Sequence, residues 1–398
     1  MKTIDDFQFT PIQKKILSTV YRNPGISRRE LAEKADISEK SVIRYAGEFL
    51  NQHILINEET RGGAVGRHAE LLRINPEWFT VLAADIGAYS IKIGIVDLSG
   101  KILFRKIWKK EEDWIPHELT EEMLCRKLRT VLEESQLHPI GLGLGISGLI
   151  DRSRQSIRYC PNLAQLRDVN VHEAFGIPLG LPVCLDTSAR CLALAESRYG
   201  GHADASNLLY VSAGHSISAG MILDGKIFRG ATGSAGELGH IKVRDRNTRC
   251  TCGSTGCLEL YATVPMIISM IRSELSQFSG YSPLLALTND WGNLQVSHVQ
   301  EGFRKKDKIV LECMTEAGRL LGRATSSFIS SFNPSLVVFG GSLGELYPYV
   351  IEEAIREIGQ VTLSSTLQDL TITRSVLESS DAAIQGAALQ VQGEFFGL

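Results

Sequence analysis

A strand-turn-strand device occurs twice in this chain, and a duplicated unit of that kind restricts the fold more than any other feature of the sequence. Asp85-Ile86-Gly87-Ala88-Tyr89-Ser90-Ile91-Lys92-Ile93-Gly94, followed by Gly100-Lys101-Ile102, recurs with a one-residue gap as Ser212-Ala213-Gly214-His215-Ser216-Ile217-Ser218-Ala219-Gly220, followed by Gly225-Lys226-Ile227. From Val81 onward short β-rich runs alternate with helical patterns and end in a Gly- and Ala-rich helix from about Asp381, an α/β arrangement. Two β-β-β-α halves of this sort close a cleft between them, and glycine at the hairpin tips lets backbone N–H groups approach phosphates. Taken alone, the repetition also fits two unrelated glycine-containing hairpins.

Residues 1–76 follow a different pattern. Ile12, Ile16, Leu17 and Val20 fall at helical spacing within 10–21, and Asn23-Pro24-Gly25 stops that helix. Ser27 with Glu30 three residues on forms a capping box for a short helix over 28–34, Ala35-Asp36-Ile37 makes a turn, and Ser38 caps a third helix through Val42, Ile43, Tyr45, Ala46, Phe49 and Leu50. Two short capped helices joined by a tight turn make a helix-turn-helix, in which Glu39, Lys40, Ser41 and Arg44 can reach base edges in the major groove. Strands over 54–56 and 69–74, joined by the glycine-containing stretch 58–68, make a wing with Arg61 and Arg67 placed to meet phosphate or the minor groove. A three-helix protein-interaction module carries the same pattern. Charge does not decide between them: the first 76 residues hold 12 basic against 10 acidic side chains, in a chain of 42 against 45.

With 398 residues, 43% of them apolar and 22% charged, two or three globular domains are expected rather than disorder. The N-terminus has neither a basic nor an apolar leader region, and no stretch approaches the ~18 apolar residues of a membrane helix, so a cytoplasmic protein with no membrane partner is expected.

Of eight cysteines, three fall in Cys250-Thr251-Cys252-Gly253-Ser254-Thr255-Gly256-Cys257, shortly after Gly233-Ser234-Ala235-Gly236-Glu237-Leu238-Gly239-His240. One imidazole and three thiolates suit tetrahedral zinc, and with His240, Cys250, Cys252 and Cys257 filling all four positions the metal would be structural. Reduced, unligated thiols are the alternative, but three of them in a glycine-containing loop would be prone to oxidation.

The wing end Gly66-Arg67-His68-Ala69-Glu70-Leu71-Leu72, the Gly236-Glu237-Leu238-Gly239-His240 segment and the cysteine motif continuing to Leu258-Glu259 resemble the ROK family of repressors and sugar kinases. Their union with an N-terminal winged helix resembles the xylose-repressor and N-acetylglucosamine-repressor branch. The resemblance implies an actin-like fold of the ATPase and sugar-kinase type with two lobes. It also implies operator DNA and a carbohydrate effector as partners, a homodimer or homotetramer, and zinc on the four residues named. The domains expected are a winged helix-turn-helix over 1–76 and a sensing domain over 77–398. Its first lobe would cover about 77–190 plus 381–398, and its second about 191–380, carrying the zinc loop.

By the same resemblance the sugar lies in the interdomain cleft against Glu237, His240 and Glu259, with Ser147, Gly148, Thr187, Ser188 and Arg190 completing the set. Carboxylates and imidazole suit adjacent hydroxyls, because an unpaired buried partner penalises the wrong epimer. Glu237 and Glu259 could instead orient metal ligands or cap helices. Family kinases carry Asn-Asp-Ala-Asn where this chain has Thr187-Ser188-Ala189-Arg190, so the general base becomes Ser188, which cannot accept a proton at neutral pH. Asp186 is displaced from that position. The phosphate loops depart as well, with Tyr89 and His215 adding bulk, whereas Gly340-Gly341-Ser342-Leu343-Gly344 stays closer to the pattern. Arg190 either faces the cleft and selects an acidic or phosphorylated sugar, or points to solvent. The expected function is a sugar-sensing transcriptional regulator, in all expectation a repressor, without kinase activity. A kinase with an appended DNA-binding domain and a ligand-independent DNA-binding protein are the alternatives.

Overall fold

The computed structural model describes residues 9–58, 70–110, 112–115, 119–160, 163–244, 248–277, 282–286, 288 and 291–397. The chain opens with helices α1 (Pro11–Arg22), α2 (Arg28–Ala35) and α3 (Glu39–Asn51). A hydroxyl starts each one: Thr10 on α1, Ser27 with Glu30 as the expected box on α2, and Ser38 on α3. Asp36, in the left-handed region at φ 47°, turns α2 into α3. A three-stranded sheet of β1 (Ile26–Ser27), β2 (Leu55–Glu58) and β3 (Leu71–Ile74) completes the winged helix, with β3 in the middle. Sequence reading missed β1, because two residues between helices carry no periodicity and become a strand only by pairing with Leu71 and Leu72. Residues 59–69, and with them Arg61 and Arg67, lie outside the described residues.

Two five-stranded sheets follow. The first contains β4 (Thr80–Ile86), β5 (Ser90–Asp97), β6 (Ile102–Lys109), β7 (Leu142–Ile146) and, after a small sheet of β8 (Leu149–Asp151), β9 (Ser156–Tyr159) and β10 (Val169–Asn170), β11 (Val183–Thr187). The second contains β12 (Leu208–Ala213), β13 (Ile217–Leu223), β14 (Lys226–Ile227), β15 (Leu336–Gly340) and β16 (Thr371–Arg374). Their spatial orders, β6-β5-β4-β7-β11 and β14-β13-β12-β15-β16, are the same: an antiparallel meander to which two parallel strands are added. The repeated sequence device is therefore a repeated fold.

Between and around these strands run α4 (Glu121–Ser135), α5 (Ile177–Leu179), α6 (Ser188–Tyr199), α7 (Glu259–Ala262), α8 (Val264–Gln277), α9 (Val296–Arg304), α10 (Lys308–Phe332), α11 (Ser342–Leu346), α12 (Pro348–Val361), α13 (Ser364–Leu367) and α14 (Ser379–Phe396). α4 shares a core with the first sheet, while α8, α10 and α12 share one with the second. α6 packs on β12 and β13, α14 packs on β4 and β7, and the two helices lie against each other. Glycine is required there: a Cβ on Gly386 of α14 would fall 1.8 Å from the Cys191 carbonyl oxygen of α6. Among the described residues no helix is long and apolar enough to cross a membrane.

The winged helix is docked rather than dangling. Tyr21 of α1 stacks on Phe396 of α14 with ring centroids 4.2 Å apart, its hydroxyl donates to Gln392 Oε1 at 2.6 Å, and Ser18 Oγ donates to the Phe396 carbonyl at 2.7 Å. Phe79, Phe395 and Phe396 continue this cluster into one apolar core with Ile16, Leu17 and Phe49.

Candidate functional site

The candidate site residues gather where the parallel strands β4, β7 and β11 end, the edge of such a sheet at which helix starts and loops converge. β11 stops at Thr187 and α6 starts at Ser188. Ser188 Oγ donates to Asp85 Oδ1 of β4 at 2.5 Å, and Ser147 Oγ, just beyond β7, donates to Ser188 Oγ at 3.4 Å. Asp85 is buried and its other oxygen takes Lys92 Nζ at 3.0 Å, the two residues being cross-strand partners of β4 and β5. Gly148 packs tightly, since a Cβ there would lie 2.5 Å from the Tyr159 carbonyl oxygen. Asp85 and Lys92 were not singled out as site residues in the sequence; the signal was their matching position on opposite strands of the hairpin.

Arg190 corrects both readings of its position. It faces neither an open cleft nor solvent but is 1% exposed, with Nε on Asp186 Oδ1 and both terminal nitrogens on the Gly233 carbonyl at 3.0 and 3.1 Å. Asp186 is itself fully buried and holds Arg229 from the second sheet's side through Nε and Nη2, both at 2.9 Å. A buried carboxylate recruits whichever guanidinium can reach it, because an unpaired charge there is costly. Arg190 thus anchors the segment that leads from Gly233 to Glu237.

That segment turns at Gly236, whose φ of 100° and closeness to the Ala219 carbonyl oxygen, 2.1 Å from a would-be Cβ, exclude a side chain. A short 3₁₀ turn over Leu238–His240 then presents Glu237 and His240, with Glu237 Oε2 3.9 Å from His240 Nε2. Burial pushes the Glu237 carboxyl above its ordinary value, with His240 and then Arg190 opposing. Glu259 opens α7 and accepts the Ile217 N–H on Oε1 at 3.0 Å, which ties it to the second glycine loop.

The other nitrogen of His240 faces the thiols. His240 Nδ1 is 3.7 Å from Cys250 Sγ, Cys252 Sγ is 3.7 Å from Cys257 Sγ, and the ligand atoms of all four residues lie within 4.8 Å of one another. Four sulfur and nitrogen ligands around one zinc span edges of about 3.8 Å, so this cluster has the dimensions of a metal centre. Burial, and then the neighbouring thiols, push Cys257 upward, and a bound cation would favour its thiolate. His240 thus lies between the Glu237 carboxylate on its Nε2 side and the thiols on its Nδ1 side, the arrangement by which a carboxylate can orient a histidine ligand.

At the phosphate loops, Tyr89 from the first sheet and His215 from the second stack face to face, with centroids 3.9 Å apart and planes at 29°, and Lys110 Nζ sits 4.9 Å from the Tyr89 ring centre. Burial, then Lys110, lowers the His215 pKa. On the winged helix, Glu39, Lys40 and Arg44 stand exposed and Ser41 is half-buried against Ser38, while Arg44 pairs with Glu48 at 3.1 Å. Ile43, within the apolar run of α3, is 58% exposed on that same face.

Two family models match the chain: the ROK family over residues 81–394, and winged helix-turn-helix DNA-binding over residues 9–55. The xylose repressor of Caldicellulosiruptor bescii is 26% identical over 354 residues, 86% of each chain. Among solved structures, a ROK family transcriptional regulator described as a homologue of the Escherichia coli MLC protein aligns with TM-score 0.79 at 23% identity, covering 97% of this chain and 96% of that one. A ROK family glucokinase from Streptomyces griseus, in complex with glucose and AMPPNP, aligns with TM-score 0.68 at 24% identity, covering 79% of this chain and all of that one. These structural likenesses establish the two-lobed fold.

Proposed function

Because the chain belongs to the ROK family, and carries a winged helix-turn-helix ahead of the ROK domain, we propose that it is a sugar-responsive transcriptional repressor that binds operator DNA and does not phosphorylate its effector. The observation that carries this is the occupant of the kinase base position. Ser188 there gives its proton to Asp85 rather than standing as a carboxylate, in a chain whose α3 exposes Glu39, Lys40, Ile43 and Arg44. A serine hydroxyl is no general base at neutral pH. The same exposed face offers charged contacts and, through Ile43, an apolar contact for a thymine methyl group. Its relative's description as a xylose repressor supports the carbohydrate class.

In this proposal residues 1–76 bind DNA, with Arg61 and Arg67 on phosphate or in the minor groove, and residues 77–398 sense the sugar. Ser147, Thr187, Ser188, Glu237, His240 and Glu259 meet its hydroxyls, Gly148 lets the chain turn beside them, and Arg190 supports the set from behind. His240, Cys250, Cys252 and Cys257 hold a structural zinc that fixes His240 and hence Glu237. The protein acts as a homodimer or homotetramer, since half-sites spaced by a helical turn require two winged helices.

Fluorescence-anisotropy titration against DNA flanking its own gene, at stated salt and with free and phosphorylated sugars, tests the reading. Specific binding released by one sugar is the expected result. Specific binding that no sugar alters would remove the sensing role, and ATP consumption with any sugar would reinstate a kinase.

A further inference from the structure

The two hairpin tips that the duplication produces meet each other, one from each lobe. Tyr89 precedes Ser90 on the tip between β4 and β5, and His215 precedes Ser216 on the tip between β12 and β13. Their rings stack with centroids 3.9 Å apart and planes at 29°. The lobes have separate cores, α4 with the first sheet and α8, α10 and α12 with the second, and the stack belongs to neither. Tyr89 is 38% exposed and His215 half-buried, so this is a join made at the surface, without a core around it.

Glycine tips of this shape can offer backbone N–H groups to anions, but three of those donors are turned inward here. Gly87 N–H donates to the Ser90 carbonyl at 3.0 Å, Gly214 N–H to the Ser216 carbonyl at 3.0 Å, and Ile217 N–H to Glu259 Oε1 at 3.0 Å. The Tyr89 carbonyl accepts the Lys110 N–H at 2.9 Å, and the Lys110 ammonium lies 4.9 Å from the Tyr89 ring centre, which steadies that ring from its own lobe. On the other lobe the Gly214 carbonyl accepts the Val264 N–H at 2.9 Å, and a Cβ on Gly214 would fall 2.5 Å from Ser342 Oγ. Each tip is thus held by its own lobe, and the aromatic contact passes between them.

We propose that the Tyr89–His215 stack is an interlobe latch, in which one side chain from each duplicated tip holds the two lobes together where the glycine tips would otherwise lie open to phosphate. The inference concerns the joint between the lobes and does not depend on which effector the protein senses. An aromatic pair shifts an opening equilibrium by about two- to ten-fold. That is enough to bias the placement of the lobes, and little enough for a ligand that prefers one placement to override it.

The test is hydrogen exchange read by mass spectrometry on the full-length, metal-replete protein. Tyr89→Ala is expected to quicken exchange about two- to ten-fold not only in residues 87–91 but also in 214–217 on the other lobe, and His215→Ala to do the same in reverse. The double variant should go no further than either single one, because each alone opens the latch. Tyr89→Phe, which keeps the ring, should exchange as the wild type does, and protection in α10 and α12 should be unaltered in every variant, a pattern that loss of fold would not produce. Exchange quickened only in the substituted tip, or effects that add in the double variant, overturns the proposal. So does micromolar binding of magnesium AMPPNP by the wild type, which would show the tips open to phosphate.

Discussion

A guanidinium can serve a ligand only with donors its protein partners leave over, and Arg190 has its donors on Asp186, Gly233 and Ala235. Replacing it by Met leaves Asp186 with Arg229 and the Thr187 N–H, and frees the Gly233 carbonyl. Breaking one partner out of a buried ion pair costs about 3–5 kcal/mol. Arg190→Met should therefore lower the urea midpoint, and hydrogen exchange should quicken over residues 230–240 while α3 is unaffected; unchanged exchange in 230–240 would show that Arg190 does not anchor that segment. Sequence reading left Arg190 either facing the cleft or pointing to solvent and missed Asp186 as its partner, because the distance from helix start to buried carboxylate depends on how β11 runs into α6. His215 illustrates the opposite case, in which bulk was recognised and its partner was not. Its pKa is held below the ordinary histidine value of 6.5 by burial and then by Lys110. The unfolded chain consequently binds the proton first, and stability is full above the unfolded value and falls as pH drops through it toward the folded one. Between pH 7.5 and 5.5 the wild type should lose thermal stability more steeply than His215→Gln; parallel profiles would remove His215 from the acid response.

Elements were legible where local chemistry closes on itself. The Ser27–Glu30 box and the Ser38 cap state their helices outright, and the observed α1 is displaced from the expected span by one residue at each end. β8, β9 and β10, like β1, were missed, since such short strands exist only through their pairing. The docking of α1 on α14 was equally hidden, as it joins residues 371 positions apart. Tyr21 is buried there and its hydroxyl proton is held well above the ordinary phenol range by desolvation. Tyr21→Phe keeps the stack on Phe396 but strands Gln392 Oε1 in the interior, a cost of about 1–3 kcal/mol. The expected result is a lower melting temperature for the winged helix with operator affinity retained; an unchanged melting curve would mean water replaces the hydroxyl. The 240–257 loop makes the parallel prediction for metal. Chelation should release one zinc per chain, quicken exchange across His240 to Cys257, and leave α1 to α3 protected, and a chain that carries no metal by native mass spectrometry would refute it.

At the scale of the whole molecule, the duplicated sheets announce themselves in the sequence, but what joins them to the winged helix does not. α6 starts at Ser188 in the cleft and ends near Arg198, whose Nη2 donates to the Tyr21 carbonyl at 2.9 Å and whose guanidinium lies 5.1 Å from the Tyr21 ring centre. Twelve helical residues span about 18 Å, so a single rigid element touches both the proposed sugar site and helix α1. Any ligand that binds better to one placement of α6 must, by linkage, bias the winged helix by the same free energy. Arg198→Ala cuts the contact at its distal end without touching the cleft or α3. Operator affinity without sugar and sugar affinity without DNA should then stay near wild type, while the factor by which sugar weakens operator binding, typically 5–150-fold for couplings of about 1–3 kcal/mol, should shrink toward one. Anisotropy titrations with and without saturating sugar measure that factor directly. A variant that keeps the full wild-type factor would transfer the coupling to the α1–α14 stack, where Tyr21 and Phe396 meet.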